Sequence, residues 1–274
     1  MNPEQNDLVV SRGETAERDI VTGRVTVLAG GTFRAKNVTN GGTVIVDDFG
    51  TATSEEVSGS GCVIVYGGNV TVDMVSGDGI VNVNGDGTAT VKEVSERGRV
   101  AVANITSGGT ATVDKVSGDG TITVARGGTV TVKEVSDQST VTVYRGKATV
   151  GEVYDSGAVN VYDGGTATID KVSGSGTVGV RNASATVKRV SGSGTVNVHD
   201  DGTATVERVF DQGTVTVYRG KATVGEVYDS GAVAVAVRDS GPTTVKKASD
   251  RGRITVTVDC GMATIDRLSG GGEN

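Results

Sequence analysis

Residues 136–159 read SDQSTVTVYRGKATVGEVYDSGAV, and residues 210–233 read FDQGTVTVYRGKATVGEVYDSGAV. Across the 24 paired positions only Ser136/Phe210 and Ser139/Gly213 differ. Each copy holds one complete unit and the start of the next. The unit is a turn, then T-V-T-V, a short Gly turn, A-T-V, and a second turn ending in Val. Nearly the whole chain is this unit with variations. A repeat array grows by adding units rather than domains, so the 274 residues are not read as two ordinary domains.

From Arg24 thirteen coils follow, their first inward Val pairs beginning at Val25, Val44, Val63, Val81, Val100, Ile122, Val141, Val159, Val178, Val196, Val215, Val233 and Ile254. Their spacing is mostly 18 or 19 residues. V-x-V and A-x-V alternate with period 2, the mark of half-buried strands. Inward columns of Ala and Val give about five small aliphatics per coil, for example Val81, Val83, Ala89, Val91 and Val94. The expected fold is all-β: a single β-solenoid of about 13 coils, some 60 Å long at ~4.8 Å per coil. Residues 1–21 read as a capping coil, 22–268 as the repeats and 269–274 (SGGGEN begins here) as a flexible tail. In the first coil Leu8 and Val10 match the Val pair, Gly13 the turn and Ile20 the last inward position. Glu14, Glu17, Arg18 and Asp19 stand where later coils carry Thr or Val, which suits an exposed end. Two coils are longer, at Ala103–Ser107 and Ala236–Ser240, after the first strand.

Composition agrees. There are 43 Gly, two Pro, no Trp, and aromatics make up 3%. Val and Thr with tight turns fit β-structure. A net charge of −7 argues against a nucleic-acid partner, which would need a basic stripe. Apolar runs are too short to insert in a membrane. The start, MNPEQNDLVV, lacks a basic region followed by an apolar one, so no Sec-type signal is expected. Cys62 and Cys260 lie about ten coils apart, roughly 48 Å, so no disulfide joins them within one chain.

Outward positions stack into columns too. The candidate face is the pair of Thr columns Thr51, Thr53, Thr88, Thr90, Thr110, Thr112, Thr129, Thr131, Thr166, Thr168, Thr203 and Thr205. It is interrupted at Asn69, Lys147, Ser184, Lys221, Pro242 and Met262. Hydroxyls would recur at ~4.8 Å between coils and ~7 Å along a strand. The same pattern also serves as an ordinary soluble strand face, because Thr is a good β-former. Beyond it runs a charged column of largely alternating sign, Glu55, Asp73, Lys92, Asp114, Lys133, Gly151, Asp170, Lys188, Glu207, Gly225, Lys246, Asp266. It is read as a register device with a solvated face. Tyr144 should neighbour Tyr162, and Phe210 should neighbour Tyr228, either stacking on a sugar or covering the turns.

Enzyme chemistry finds no constellation. The one His, His199, sits beside Asp200 and Asp201 in a turn, and no nucleophilic triad assembles. No catalytic, cofactor-binding or metal residues are expected. The S-G-D-G turns at Asp78 and Asp119 lack the G-G-x-G-x-D-x-U-x nonapeptide of calcium-binding repeats. Sequons at Asn37, Asn69, Asn104 and Asn182 are expected by chance in such a composition.

The pieces VTNGGTVIV (38–46), SGGTATV (107–113) and DGGTATI (163–169) resemble the roughly 19-residue passenger repeats of autotransporters of the adhesin-involved-in-diffuse-adherence type. That resemblance implies a right-handed β-helix at a cell surface, with Ser/Thr glycosylation. The T-x-T columns resemble those of Thr-rich β-solenoid ice-binding proteins. The expected function is therefore a non-enzymatic, structural or adhesin-like solenoid with a cell-surface or glycan partner. Ice binding is the alternative and an intracellular filament subunit a further one. A polar first coil and a Gly-rich end favour a monomer or a tail-to-tail dimer, with any crosslink through Cys260.

Overall fold

A computed structural model of the protein describes residues 7–103, 108–238, 242–249, 251–260 and 263–269, with side chains described outside 235–238, 256–260 and 268–269. Every described element is a strand or a turn. The chain divides into two compact units, Met1–Lys133 with Ser139–Val141 and Gly146–Ala148, and Glu134–Gln138 with Thr142–Arg145 and Thr149–Asn274. Each unit is a β-solenoid of parallel strands, and together they hold about thirteen turns.

In the first unit one sheet runs from Leu8–Val10 through Arg24–Val27, Thr43–Val46, Cys62–Val65, Ile80–Val83 and Arg99–Ala103 to Thr121–Ala125. The other runs from Thr15–Val21 through Thr32–Val38, Thr51–Val57, Asn69–Val75 and Thr88–Val94 to Thr110–Val116. In the second unit Ala158–Tyr162 leads through Thr177–Arg181, Thr195–His199, Thr214–Tyr218 and Ala232–Arg238 to Arg253–Cys260. Its companion sheet runs from Thr166–Val172 through Ser184–Val190, Thr203–Val209, Lys221–Val227 and Thr243–Ser249 to Ala263–Ile265.

The inward columns are the ones the repeat dictates. From Val25 to Val233 the first Val of each coil is buried, and so are the Ala column and the closing Val column through Ala248. In the last described coil Ile254 is only half-buried. Each fully buried Val contributes roughly 1.5–3 kcal/mol of transfer free energy. Because every coil needs its neighbours to cover these side chains, the fold is cooperative along the stack.

The second strand of each coil differs from the expected short strand followed by a turn. From Thr32–Val38 to Lys221–Val227 it runs seven residues, with the second, fourth and seventh buried, as in Thr88–Val94. Two outward residues in succession, the fifth and sixth, break the alternation. The ladder skips the fifth residue and resumes at the sixth, as in Val91↔Val113 followed by Glu93↔Lys115. The strand therefore bends there without leaving the sheet. The S-G-x-G turn comes only after the closing Val: Gly61 N–H donates to Ser58 O at 2.9 Å, with Gly59 at φ 53° between them.

The fourth residue of this turn has to be small. A Cβ on Gly213 would stand 2.5 Å from the Val190 carbonyl oxygen. The near-identical stretch 136–159 carries Ser139 instead. Its hydroxyl is fully buried and donates to the Val116 carbonyl at 3.0 Å, turning a close approach into a hydrogen bond.

Two details of the sequence reading are corrected. Ile20 is not the last inward residue of the first coil: it is 58% exposed, and Val21 is fully buried in register with Val38. The extra residues from Ala236 do not leave the sheet at once. The strand continues to Arg238, where a register shift sets Val237 against Val258 and Arg238 against Cys260. Residues 104–107 and 239–241 of the two insertions, Met262 and 270–274 of the tail lie outside the described residues, as does the Cys260 side chain.

Candidate functional site: the threonine face

The seven-residue strand builds the face. Its first and third residues point outward before the bend, and its fifth and sixth point outward beyond it. In the first unit Thr32, Thr51, Asn69, Thr88 and Thr110 pair in order, and beside them Arg34, Thr53, Thr71, Thr90 and Thr112. Thr129 and Thr131 occupy the same two outward positions on Thr129–Val135. In the second unit the columns are Thr166, Ser184, Thr203, Lys221 and Thr168, Thr186, Thr205, Thr223, Thr244, Thr264. All twelve candidate threonines are half-buried or exposed. Parallel register makes each column a ladder with ~4.8 Å rungs.

The charged column next to it is ion-paired from coil to coil. Lys36 Nζ lies 2.8 Å from Asp19, and Lys92–Asp73, Lys133–Asp114 and Lys188–Asp170 each close at 2.7 Å. Hydrogen bonding to Asp19 and Asp170 raises the Lys36 and Lys188 ammonium groups above the ordinary lysine value. Being exposed, such pairs contribute little stability each. They do offset charge at four places along the flank of the Thr face.

Sequence reasoning missed the next column, the sixth residue. Glu56, Glu93 and Glu152 accept hydrogen bonds from the turn serines Ser76, Ser117 and Ser173 at 2.9, 3.1 and 2.9 Å. Glu134 accepts one from Tyr154 at 3.2 Å. Glu152 also accepts from Lys171 Nζ at 2.7 Å, and that bond holds its carboxyl below the usual glutamate range. The signal was the spacing: a Glu before the closing Val, and a Ser after the closing Val one coil later.

Also missed were apolar residues on the outer face of the first sheet. Ile45 and Ile64 pair in register where other coils carry Thr, Asn, Ala or Gly, and Leu28, Phe49 and Tyr66 are exposed at the following turns. Cys62 is half-buried on this face. Burial raises its thiol, partly offset by Asn82 Nδ2 at 3.9 Å from its sulfur.

The expected aromatic neighbours meet. Tyr144 and Tyr162 stack at 5.1 Å, and Phe210 and Tyr228 at 5.3 Å. In each pair the facing ring surfaces are used on the other ring, which favours turn cover over a sugar platform. His199 lies 6.1 Å from the Tyr218 ring, tilted, while its neighbour Asp200 accepts from Arg181 Nε at 2.8 Å. No group of metal-ligating side chains assembles among the described residues.

No family model, curated protein or solved structure matches the chain. Fold and face together define a class: a β-solenoid repeat protein.

Proposed function

We propose that the protein is a structural, adhesin-like solenoid that binds an extended glycan-bearing surface through its Thr face, with no covalent chemistry. The observation supporting this reading is the ladder itself: the same outward hydroxyl at the same strand position on successive coils, beside a charge column that holds four coil-to-coil Lys–Asp ion pairs. A repeating polymer presents hydroxyls at intervals similar to the coil spacing, so weak contacts add up along its length by multivalency. Asn69, Ser184 and Lys221 interrupt the Thr columns with other hydrogen-bonding groups. A glycan tolerates such changes. The test is pull-down on insoluble polysaccharides and bacterial cell walls, comparing wild type with Thr71, Thr90 and Thr112 replaced by Val. Valine keeps the strand and removes the hydroxyls. Binding by wild type that the triple variant loses supports the proposal; wild type that binds none of these polymers, or a variant that binds equally well, refutes it.

The unbroken column Thr53, Thr71, Thr90, Thr112 supports ice binding as a second reading. Thermal hysteresis tests it, with Thr112, Thr131 and Thr168 replaced by Tyr as the control. Wild type without hysteresis or ice shaping removes this reading.

A further inference from the structure

Thr15–Val21 is the edge strand of the second sheet in the first unit. Its hydrogen-bonding register shows what a neighbour would meet on the side where no described strand pairs with it. Arg18 pairs with Ala35, and Ala35 with Ser54, in the column that becomes Val72, Val91 and Val113 further along. Arg18 is thus a cation at an inward position, and it is half-buried. The column beneath it holds the small residues Ala35 and Ser54, and on the adjoining outer face an open groove of about 740 Å³ is lined by Glu17, Asp19, Lys36, Glu55 and Asp73 as well as Arg18. On the outward side Asp19 is tied to Lys36 at 2.8 Å, and Glu17 stands 3.9 Å from Arg34.

We propose that Glu17, Arg18 and Asp19 close this edge against a second copy of the chain. Consider parallel stacking in the register of the repeats. The partner copy's strand Ala263–Ile265 would set Thr264 on Glu17 and Ile265 on Arg18, with the following Asp266 on Asp19. An aliphatic residue would then bury a guanidinium, and two carboxylates would meet. Ile265, 38% exposed, is the side chain that would have to cover Arg18. Consider next antiparallel pairing of two such edges about a two-fold axis. Centring it on Arg18 sets Arg18 on Arg18 and Glu17 on Asp19; shifting it to Glu17 sets Glu17 on Glu17. Each arrangement that keeps the inward faces together places like charges opposite each other or buries an unpaired one, which is destabilising. Inward-pointing charge is a general protection of free edges; here Arg18 supplies it, and the outward Glu17 and Asp19 on either side add like-charge repulsion in both modes of joining.

The experiment compares the wild type with Arg18→Val and with Glu17→Thr/Arg18→Val/Asp19→Lys, which restores the residue types of the other coils. Light scattering reads mass, and hydrogen exchange reads the amides of 15–21. Wild type should show no concentration-dependent protection of 15–21. The triple variant should associate at least about tenfold more tightly, with those amides protected. Arg18→Val should shift in the same direction by less, and Arg18→Lys should behave as wild type. Folded variants, judged by unchanged circular dichroism and melting, that keep wild-type mass and exchange would overturn the proposal. So would wild type that joins through 15–21. If the triple variant does not fold, the Arg18→Val and Arg18→Lys pair decides on the same readouts.

Discussion

Replacing Val215 by Asp tests the inward columns most severely. Val215 is fully buried between Val196 and Val233 of the adjacent coils, in a column of aliphatics. Keeping the new carboxyl neutral at pH 7, when its unfolded pKa is ~3.9, costs about 4 kcal/mol at ~1.36 kcal/mol per pKa unit. Lost apolar transfer adds ~1.5 kcal/mol, and a buried polar group without a partner ~1–3 kcal/mol. The sum, ~7–9 kcal/mol, is comparable with the whole stability of a typical domain, ~5–15 kcal/mol. Val215→Ala, by contrast, should cost only about 2 kcal/mol. The sign with pH follows from the direction of the shift. The folded-state pKa of the carboxyl lies above its unfolded value, so the penalty is largest at neutral pH. It should fall to ~3 kcal/mol below about pH 4, where both states bind the proton. Urea unfolding followed by circular dichroism at the two pH values measures this. Hydrogen exchange would show whether the neighbouring coils open first, as a one-dimensional stack implies. An Asp variant as stable as the parent, or a deficit independent of pH, would refute the assigned register.

Three further outcomes are expected. Thr243 is 1% exposed in register with Ala222 and Ala263, and its hydroxyl has no hydrogen-bond partner among the described residues. Thr243→Val should therefore stabilise by ~1–2 kcal/mol in urea titrations, and a loss of stability would show that the hydroxyl is satisfied. Glu152 has its carboxyl lowered by Lys171, so it contributes stability above the ordinary glutamate pKa of 4.5 that is lost as pH falls toward the folded value; Lys171→Met should flatten the midpoint-versus-pH curve there. Ser117→Ala should destabilise by ~1 kcal/mol through the bond to Glu93, and Glu93→Ala with Ser117→Ala together should be less than additive.

Much of this fold can be read from the sequence because V-x-V and A-x-V recur at nearly constant spacing. Small aliphatics in a narrow body leave few ways to align. Thr71, Thr90 and Thr112 follow from the same arithmetic. The bend does not, because an A-T-V-K-E-V string reads equally well as strand, turn and anchor. Only pairing through Glu93 and Val94 shows that the ladder continues. Ile20 and Val21 defeated the pattern for a related reason: either aliphatic satisfies an inward position, and only the seven-residue length of the strand selects Val21. The Glu93–Ser117 link joins residues of successive coils across a bend and a turn, so no local pattern marks it. The apolar Ile45–Ile64 pair was legible as V-I-V in place of V-T-V, but the buried columns on either side drew the reading inward.

The central claim is that outward threonines of successive coils stand in register, and disulfide trapping tests it most directly. With Cys62 and Cys260 changed to Ser, cysteines at Thr90 and Thr112 would lie on adjacent parallel strands, within the usual ~4.4–6.8 Å Cα separation of a disulfide. Cysteines at Thr88 and Thr112 would be two residues out of register. Mild oxidation should crosslink the Thr90/Thr112 pair nearly completely and leave the Thr88/Thr112 pair reduced. Equal crosslinking of the two, or preference for Thr88/Thr112, would contradict the ladder and with it both readings of the face.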